Sequence, residues 1–153
     1  MHIMKAVALI TGASSGIGRE FARIHARAGW DLVLVARRLD KLQELEKELS
    51  DVRDCKIMLI QKDLTQAHAC QEIYDELKRF GVEPEYLINN AGFGGLGKFA
   101  ERKWKDESSM IALNITALTQ LCHLFLPEMI SRNTGKILNV SSTASLLPWP
   151  LQA

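Results

Sequence analysis

Five short apolar segments of strand length recur along the chain, the first of them an unbroken run, separated by stretches whose apolar residues have helical spacing. Nothing else in the sequence restricts the fold as strongly. The first run, Ala6-Val7-Ala8-Leu9-Ile10, ends at Thr11-Gly12. A run that does not alternate with polar residues belongs to a strand covered on both faces, as in a parallel sheet. From Gly16 the spacing becomes helical through Ile17, Phe21, Ile24 and Ala28, and Gly29 follows as a stop. Asp31 to Ala36 is a second strand. Asp40 is placed to cap a helix carrying Leu42, Leu45 and Leu49, with Gln43 at the capping-box position. Lys56 to Gln61 is a third strand, and Thr65 is placed to cap a helix through Ile73, Leu77 and Phe80 to Gly81. Tyr86 to Asn89 is a fourth strand, residues 108–130 form a long helix that Pro127 should kink, and Lys136 to Val140 is a fifth strand. Strands alternating with helices imply right-handed crossovers and a doubly wound α/β fold. Ligands of such folds sit beyond the carboxyl ends of the strands.

At 153 residues the chain suits one domain, 1–153. Nineteen basic and eighteen acidic side chains give a net charge of +1, without the basic excess that nucleic-acid binding needs. Apolar runs such as Leu32 to Ala36 fall far short of the ~20 residues of a membrane span. Met1-His2-Ile3-Met4-Lys5 shows neither a signal-peptide cleavage site nor an Arg-rich transit pattern. Cys55, Cys70 and Cys122 are too scattered for a disulfide framework, and no pair among the four histidines has metal-ligand spacing. The expectation is a cytoplasmic protein with reduced thiols and no metal.

The chemistry concentrates at strand ends. Thr11-Gly12-Ala13-Ser14-Ser15-Gly16-Ile17-Gly18 joins the first strand to the first helix. Gly12 permits a tight turn, Gly16 close backbone approach to a ligand, and Gly18 close helix–strand packing. The helix start offers N–H groups and partial positive charge to a phosphate. The spacing is neither that of the common dinucleotide fingerprint nor that of a P-loop. The second strand ends Val35-Ala36-Arg37-Arg38, with no carboxylate before Asp40. An acid there would read the ribose 2′-hydroxyl of NAD, whereas arginines accommodate the 2′-phosphate of NADP. NADP(H) is therefore expected over NAD(H).

With the glycine turn, Asp63-Leu64, Asn89-Asn90-Ala91-Gly92, Asn114 and Asn139-Val140-Ser141-Ser142 in this order, the chain resembles the short-chain dehydrogenase/reductase family. Gly92-Phe93-Gly94 with Leu126-Pro127-Glu128-Met129 is similar to its bacterial ketoacyl- and steroid-reductase branch. The resemblance implies a Rossmann-type parallel sheet with strand order 3-2-1-4-5 and hydride transfer between a nicotinamide and a small carbonyl or alcohol. It assigns Gly12, Ser14, Ser15, Gly16, Ile17 and Gly18 to the cofactor, with Arg37 and Arg38. Asp63 and Leu64 go to the adenine, and Asn90, Ala91 and Gly92 to the neighbourhood of its ribose. Asn114 would hold a water of the proton relay, and Ser142 the substrate oxygen.

The family's reaction also needs a Tyr and, four residues on, a Lys that lowers its pKa. A phenol of ordinary pKa near ~10 is a poor base at neutral pH. That Tyr follows the serine by roughly a dozen residues in the family, and only eleven residues follow Ser142 here. The two tyrosines present do not fit. Tyr74 heads a matching Tyr-x-x-x-Lys but lies on a helix upstream of every other motif, and Tyr86 opens the fourth strand at its amino end. The expectation is a shortened member of the family, a piece or the product of an interrupted gene, that lacks the last strands and helices and is inactive alone. Its uncovered fifth strand would favour a homo-oligomer, such as a dimer. A non-catalytic NADP-binding module and an oligomerising interaction protein are the alternatives.

Overall fold

The computed structural model describes residues 5–50, 55–147 and 150–151. Residues 1–4, including His2 and most of the N-terminal segment in which no targeting signal was found, lie outside the described residues. So do 51–54, 148–149 and 152–153.

Five parallel strands form one sheet in the order β3-β2-β1-β4-β5: β1 Val7–Thr11, β2 Asp31–Ala36, β3 Ile57–Gln61, β4 Tyr86–Asn89 and β5 Lys136–Asn139. The helices are α1 Gly16–Arg27, α2 Leu39–Ser50, α3 Ala69–Arg79, α4 Trp104–Ile111 and α5 Leu118–Ser131, the last two joined by a π-helical turn, Ala112–Ala117. Two apolar clusters cover the sheet, one on each face. Leu9, Val33, Val35 and Leu87 pack with α3 and α5, while Ala8, Ile10, Leu32 and Leu34 pack with α1 and α2. β1 and β2 are buried almost throughout, which is why their sequences do not alternate.

Local details depart from the expectations. The buried row of α1 is Gly18, Ala22 and Ala26, while Ile17, Ile24 and Ala28 are exposed and Phe21 half-buried. Small residues let the helix lie close to the sheet, and this outweighs side-chain size. Phe80 also lies outside the buried face of α3, which is formed by Ile73 and Leu77. Asp40 lies inside the first turn of α2 rather than capping it, since Leu42 N–H already donates to Arg38 O at 3.2 Å. Gln43 therefore has no capping box to complete. Thr65 does not cap α3: Asp63 Oδ1 accepts from its N–H (3.0 Å) and its hydroxyl (2.9 Å), and the helix begins at Ala69. The long helix begins earlier than expected, at Trp104, and runs past Pro127 to Ser131. Trp104–Ser131 is 28 residues with mean hydropathy 1.5 in its most apolar window, enough by length and composition to cross a membrane. Runs of consecutive apolar residues hide this, because Asn114, Thr116 and Thr119 interrupt them. Here Leu121, Phe125 and Met129 are buried in the cluster on the sheet.

The expected stop at Gly29 is present. Gly29 (φ +85°) donates to Ala26 O at 2.9 Å and Trp30 to His25 O at 3.0 Å, the paired bonds of a Schellman motif. The same pair recurs at Gly81, and again at Asn133.

Candidate functional site

The glycine turn connects β1 to α1 and is held by the end of β4. Thr11, 2% exposed, accepts on Oγ1 the N–H groups of Asn90 and Ala91, both at 3.0 Å. Asn90 Nδ2 returns a bond to Thr11 O at 2.9 Å. A Cβ at Gly18 would stand 2.4 Å from Asn90 Nδ2 and 2.5 Å from Gly12 O, so only glycine fits. Gly12 has φ +68° and a Cβ there would meet Ala91 Cα at 2.9 Å. Gly16 differs: its φ is +55°, yet nothing lies within 4 Å of its missing Cβ. Ser15 precedes α1 without capping it. Its hydroxyl instead accepts from Arg38 Nη2 at 3.1 Å, and Ser14 Oγ does so at 3.3 Å. No side chain therefore occupies the N–H groups of the helix start.

A first cavity of about 330 Å³ opens over this turn at the carboxyl ends of β1, β2 and β3. Of the residues singled out in the sequence it gathers Gly12, Ser14, Ser15, Ile17, Arg37, Arg38, Asp63, Leu64, Asn90, Ala91 and Gly92. Gly16 and Gly18 are not in the lining: Gly18 is buried against Gly12 and Asn90, while Gly16 is exposed. Sequence reasoning missed Thr11, whose signal was a polar residue ending an apolar strand. It also missed Lys62, a charge next to the Asp63 it did single out, and Leu113, which reaches the cavity from the π turn.

A second cavity of about 920 Å³ lies beside it, between the ends of β4 and β5 and the π turn. Asn114 and Ser142 both line it. Asn114 is bound to the backbone of Phe93, with Nδ2 donating to Phe93 O at 2.9 Å and Oδ1 accepting from Phe93 N at 3.2 Å. It fixes the glycine-rich wall and keeps one amide proton and further lone-pair capacity. Ser142 Oγ accepts from Ala144 N at 3.1 Å and closes a short turn, Thr143–Ser145, leaving its own proton to donate. Ser141 Oγ sits 3.4 Å from Ser145 Oγ. Below them Asn89 Nδ2 donates to Asn139 Oδ1 at 2.9 Å across the β4–β5 rung. The outer wall is pinned by Arg102, whose Nε lies 2.5 Å from Glu107 Oε1 and whose guanidinium occupies the space over Gly95.

Neither tyrosine lines this cavity. Tyr74 donates to Glu128 Oε1 at 2.5 Å and packs edge-on against Phe125, with Lys78 Nζ 2.6 Å from the same carboxylate. The Glu128 carboxylate, and burial after it, push the Tyr74 phenol up, the wrong direction for a base. Tyr86 packs against His25 and Trp30 at the opposite end of the sheet. Cys70 is buried and its thiol is pushed up to about 11 by burial, while Cys55 and Cys122 are half-buried and in no disulfide. Among the described residues no group of His, Cys, Asp and Glu could hold a metal.

A parallel sheet in the order 3-2-1-4-5, with a glycine turn at the crossing point of its strand order, defines a Rossmann-type α/β protein. The chain belongs to the short-chain dehydrogenase family, whose sequence model matches residues 6–153. It is 37% identical over 150 residues to 17-beta-hydroxysteroid dehydrogenase type 3 of Mus musculus, covering 94% of this chain and 47% of that protein. It is 37% identical over 149 residues to sulfoacetaldehyde reductase 2 of Chromohalobacter salexigens, covering 96% and 58%. The solved structure of a short-chain dehydrogenase from Sphingobium yanoikuyae in complex with NADPH superimposes with a TM-score of 0.87 at 37% identity, covering 94% of this chain and 56% of that one. The chain spans about half the length of the curated relatives it matches.

Proposed function

We propose that this chain forms the nucleotide-binding part of an NADP(H)-dependent oxidoreductase that interconverts a small-molecule carbonyl and alcohol. The first cavity carries this reading. One end is an uncapped helix start, which favours phosphate, and the other is Arg37-Arg38 with no carboxylate at the end of β2. The NADPH in the Sphingobium relative supports it. Gly12 and the segment Ser14 to Gly18 would hold the pyrophosphate, and Arg37 and Arg38 the 2′-phosphate. Asp63 and Leu64 would meet the adenine, and Asn90, Ala91 and Gly92 its ribose. When bound, the nicotinamide supplies or accepts the hydride. Ser142 would donate its free hydroxyl proton to the substrate oxygen in the second cavity. Asn114 would hold Phe93 in place and keep a donor for a water in the proton path. No described tyrosine lines that cavity, so these 153 residues by themselves would bind nucleotide without reducing a carbonyl.

Calorimetric titration with NADPH and NADH tests the reading. The chain should prefer NADPH by roughly tenfold to a hundredfold, the worth of a charge-assisted contact. Replacing Arg37 and Arg38 together by Ala should erase the preference. Equal affinities in the unmodified chain, or tighter NADH, would overturn it.

A further inference from the structure

Arg37 and Lys62 come next to each other just past the last rung of β2 and β3. The ladder pairs Ala36 with Gln61. Lys62 N–H donates to Ala36 O at 3.0 Å, and Gln61 Nε2 to Arg37 O at 3.0 Å, so the two chains stay in register beyond the strands. Residues on one rung of a parallel pair leave the sheet on the same face. Two cations therefore emerge side by side at the rim of the first cavity, with Arg38 next in the chain and turned onto Ser14 and Ser15. Like charges on one rung repel each other. The structure meets this with one carboxylate, Glu72 in the first turn of α3, whose Oε2 lies 2.7 Å from Lys62 Nζ. The Lys62 side chain is 27% exposed and that of Glu72 55%, so the bond is open to water. Exposed pairs of this kind are weak. A phosphate monoester, with charge about −1.5 to −2 and three acceptor oxygens, is the stronger partner for an ammonium.

We infer that Lys62 is the third cation of the 2′-phosphate site and that Glu72 competes with the phosphate for it. This rests on the NADP(H) reading above. The consequence is a pair of effects with opposite signs. Removing the cation weakens NADPH binding, whereas neutralising Glu72 frees the cation and strengthens it. NADH has no 2′-phosphate and ignores both changes. A pair that only tied β3 to α3 would give equal signs, because either substitution breaks the same bond.

The experiment is calorimetric titration of the 153-residue chain, its Lys62→Met and its Glu72→Gln variant with NADPH and NADH, at about 50 mM salt to limit screening. Lys62→Met should weaken NADPH roughly tenfold. Glu72→Gln should tighten it roughly two- to fivefold, and NADH should move less than about twofold in both. Shifts of the same sign, an unchanged NADPH affinity in Lys62→Met, or NADH moving in parallel with NADPH would each overturn the inference. If the unmodified chain binds neither nucleotide, the cofactor reading fails and this inference with it. If the chain prefers NADPH and Lys62→Met leaves that preference intact, only the role of Lys62 is lost.

Discussion

Thr11 and Asn90, 79 residues apart, are bonded to each other in both directions: Thr11 Oγ1 accepts the Asn90 N–H at 3.0 Å, and Asn90 Nδ2 donates to Thr11 O at 2.9 Å. Because Oγ1 also accepts the Ala91 N–H at 3.0 Å, one buried hydroxyl serves two backbone donors where β4 turns into the glycine-rich loop. The first cavity and the wall of the second are thus tied at one point.

The prediction for this latch is a stability loss that shape cannot explain. Thr11→Val keeps the volume but strands two N–H groups, each costing about 1–3 kcal/mol when unsatisfied and buried. Urea unfolding should show a loss of about 2–4 kcal/mol, while Thr11→Ser, which keeps the oxygen, should stay within about 1 kcal/mol of the original. A Val variant as stable as the Ser variant would remove the latch from the account.

Gly16 and Gly18, equivalent as letters in a motif, should respond differently. Gly18→Ala drives a methyl into Gly12 O and Asn90 Nδ2, one of them backbone, and the turn cannot yield without losing the latch. Gly16→Ala meets open space and carries only the left-handed backbone cost, roughly 1 kcal/mol. Thermal melts should find Gly16→Ala slightly destabilised and Gly18→Ala severely so. Equal losses in the two variants would contradict the geometry.

The parallel sheet and the glycine turn were legible because they depend on patterns spread over many residues, whereas the strand order and the places of Asp63, Leu64 and Asn90 to Gly92 came with the family resemblance. Unbroken apolar runs dictate burial on both faces, and a turn placed between a strand and a helix dictates where the cleft opens. What was not legible depends on distance. Ile17 and Ile24 look like a core stripe until α1 is found to approach the sheet through Gly18, Ala22 and Ala26, where large side chains would hold it off. Asp40 and Thr65 are capping residue types, but type does not fix which N–H comes within reach; the Thr65 hydroxyl donates to Asp63 instead, and α3 begins only at Ala69. The π turn around Asn114 carries an amide bonded to Phe93, a partner 21 residues away that local spacing does not reveal.

The Tyr74–Glu128–Lys78 cluster makes a prediction about alkaline stability. Hydrogen bonding to Glu128 holds both Tyr74 and Lys78 above their ordinary values of 10.0 and 10.5. Protons bound more tightly in the folded state contribute stability that is complete below about pH 10 and lost as pH rises through the raised values. Glu128, despite burial that favours its neutral form, is held below 4.5 by Lys78 and Tyr74, so its share disappears in acid. Glu128→Gln should be less stable than the original chain near pH 8, and the gap should narrow as pH approaches about 11. Urea midpoints across that range measure it. A gap that stays constant would mean the cluster does not sense these protons.

The riskiest prediction is that this chain, even with the proposed NADPH site filled, does not reduce carbonyls. Ser142 keeps its hydroxyl proton and Asn114 steadies the wall of the same cavity, so under the proposed function a carbonyl would be held and polarised there. Completing the reduction needs a group that gives up a proton near neutral pH and is regenerated. Tyr74 cannot serve, because its hydroxyl is spent on Glu128 and its pKa is moved upward. Tyr86 packs on His25 and Trp30 at the amino end of β4, away from the cavity. Loss of general acid catalysis alone costs about 10²–10⁴-fold. NADPH oxidation followed optically with a panel of ketones and aldehydes should therefore stay at background, under conditions where calorimetry shows the nucleotide bound. Turnover that persists in Tyr74→Phe but falls in Ser142→Ala would mean that another donor serves the second cavity. Turnover abolished by Tyr74→Phe would instead show that the Tyr74–Lys78 pair leaves Glu128 and reaches the substrate, and the assignment of that helix as purely structural would be wrong.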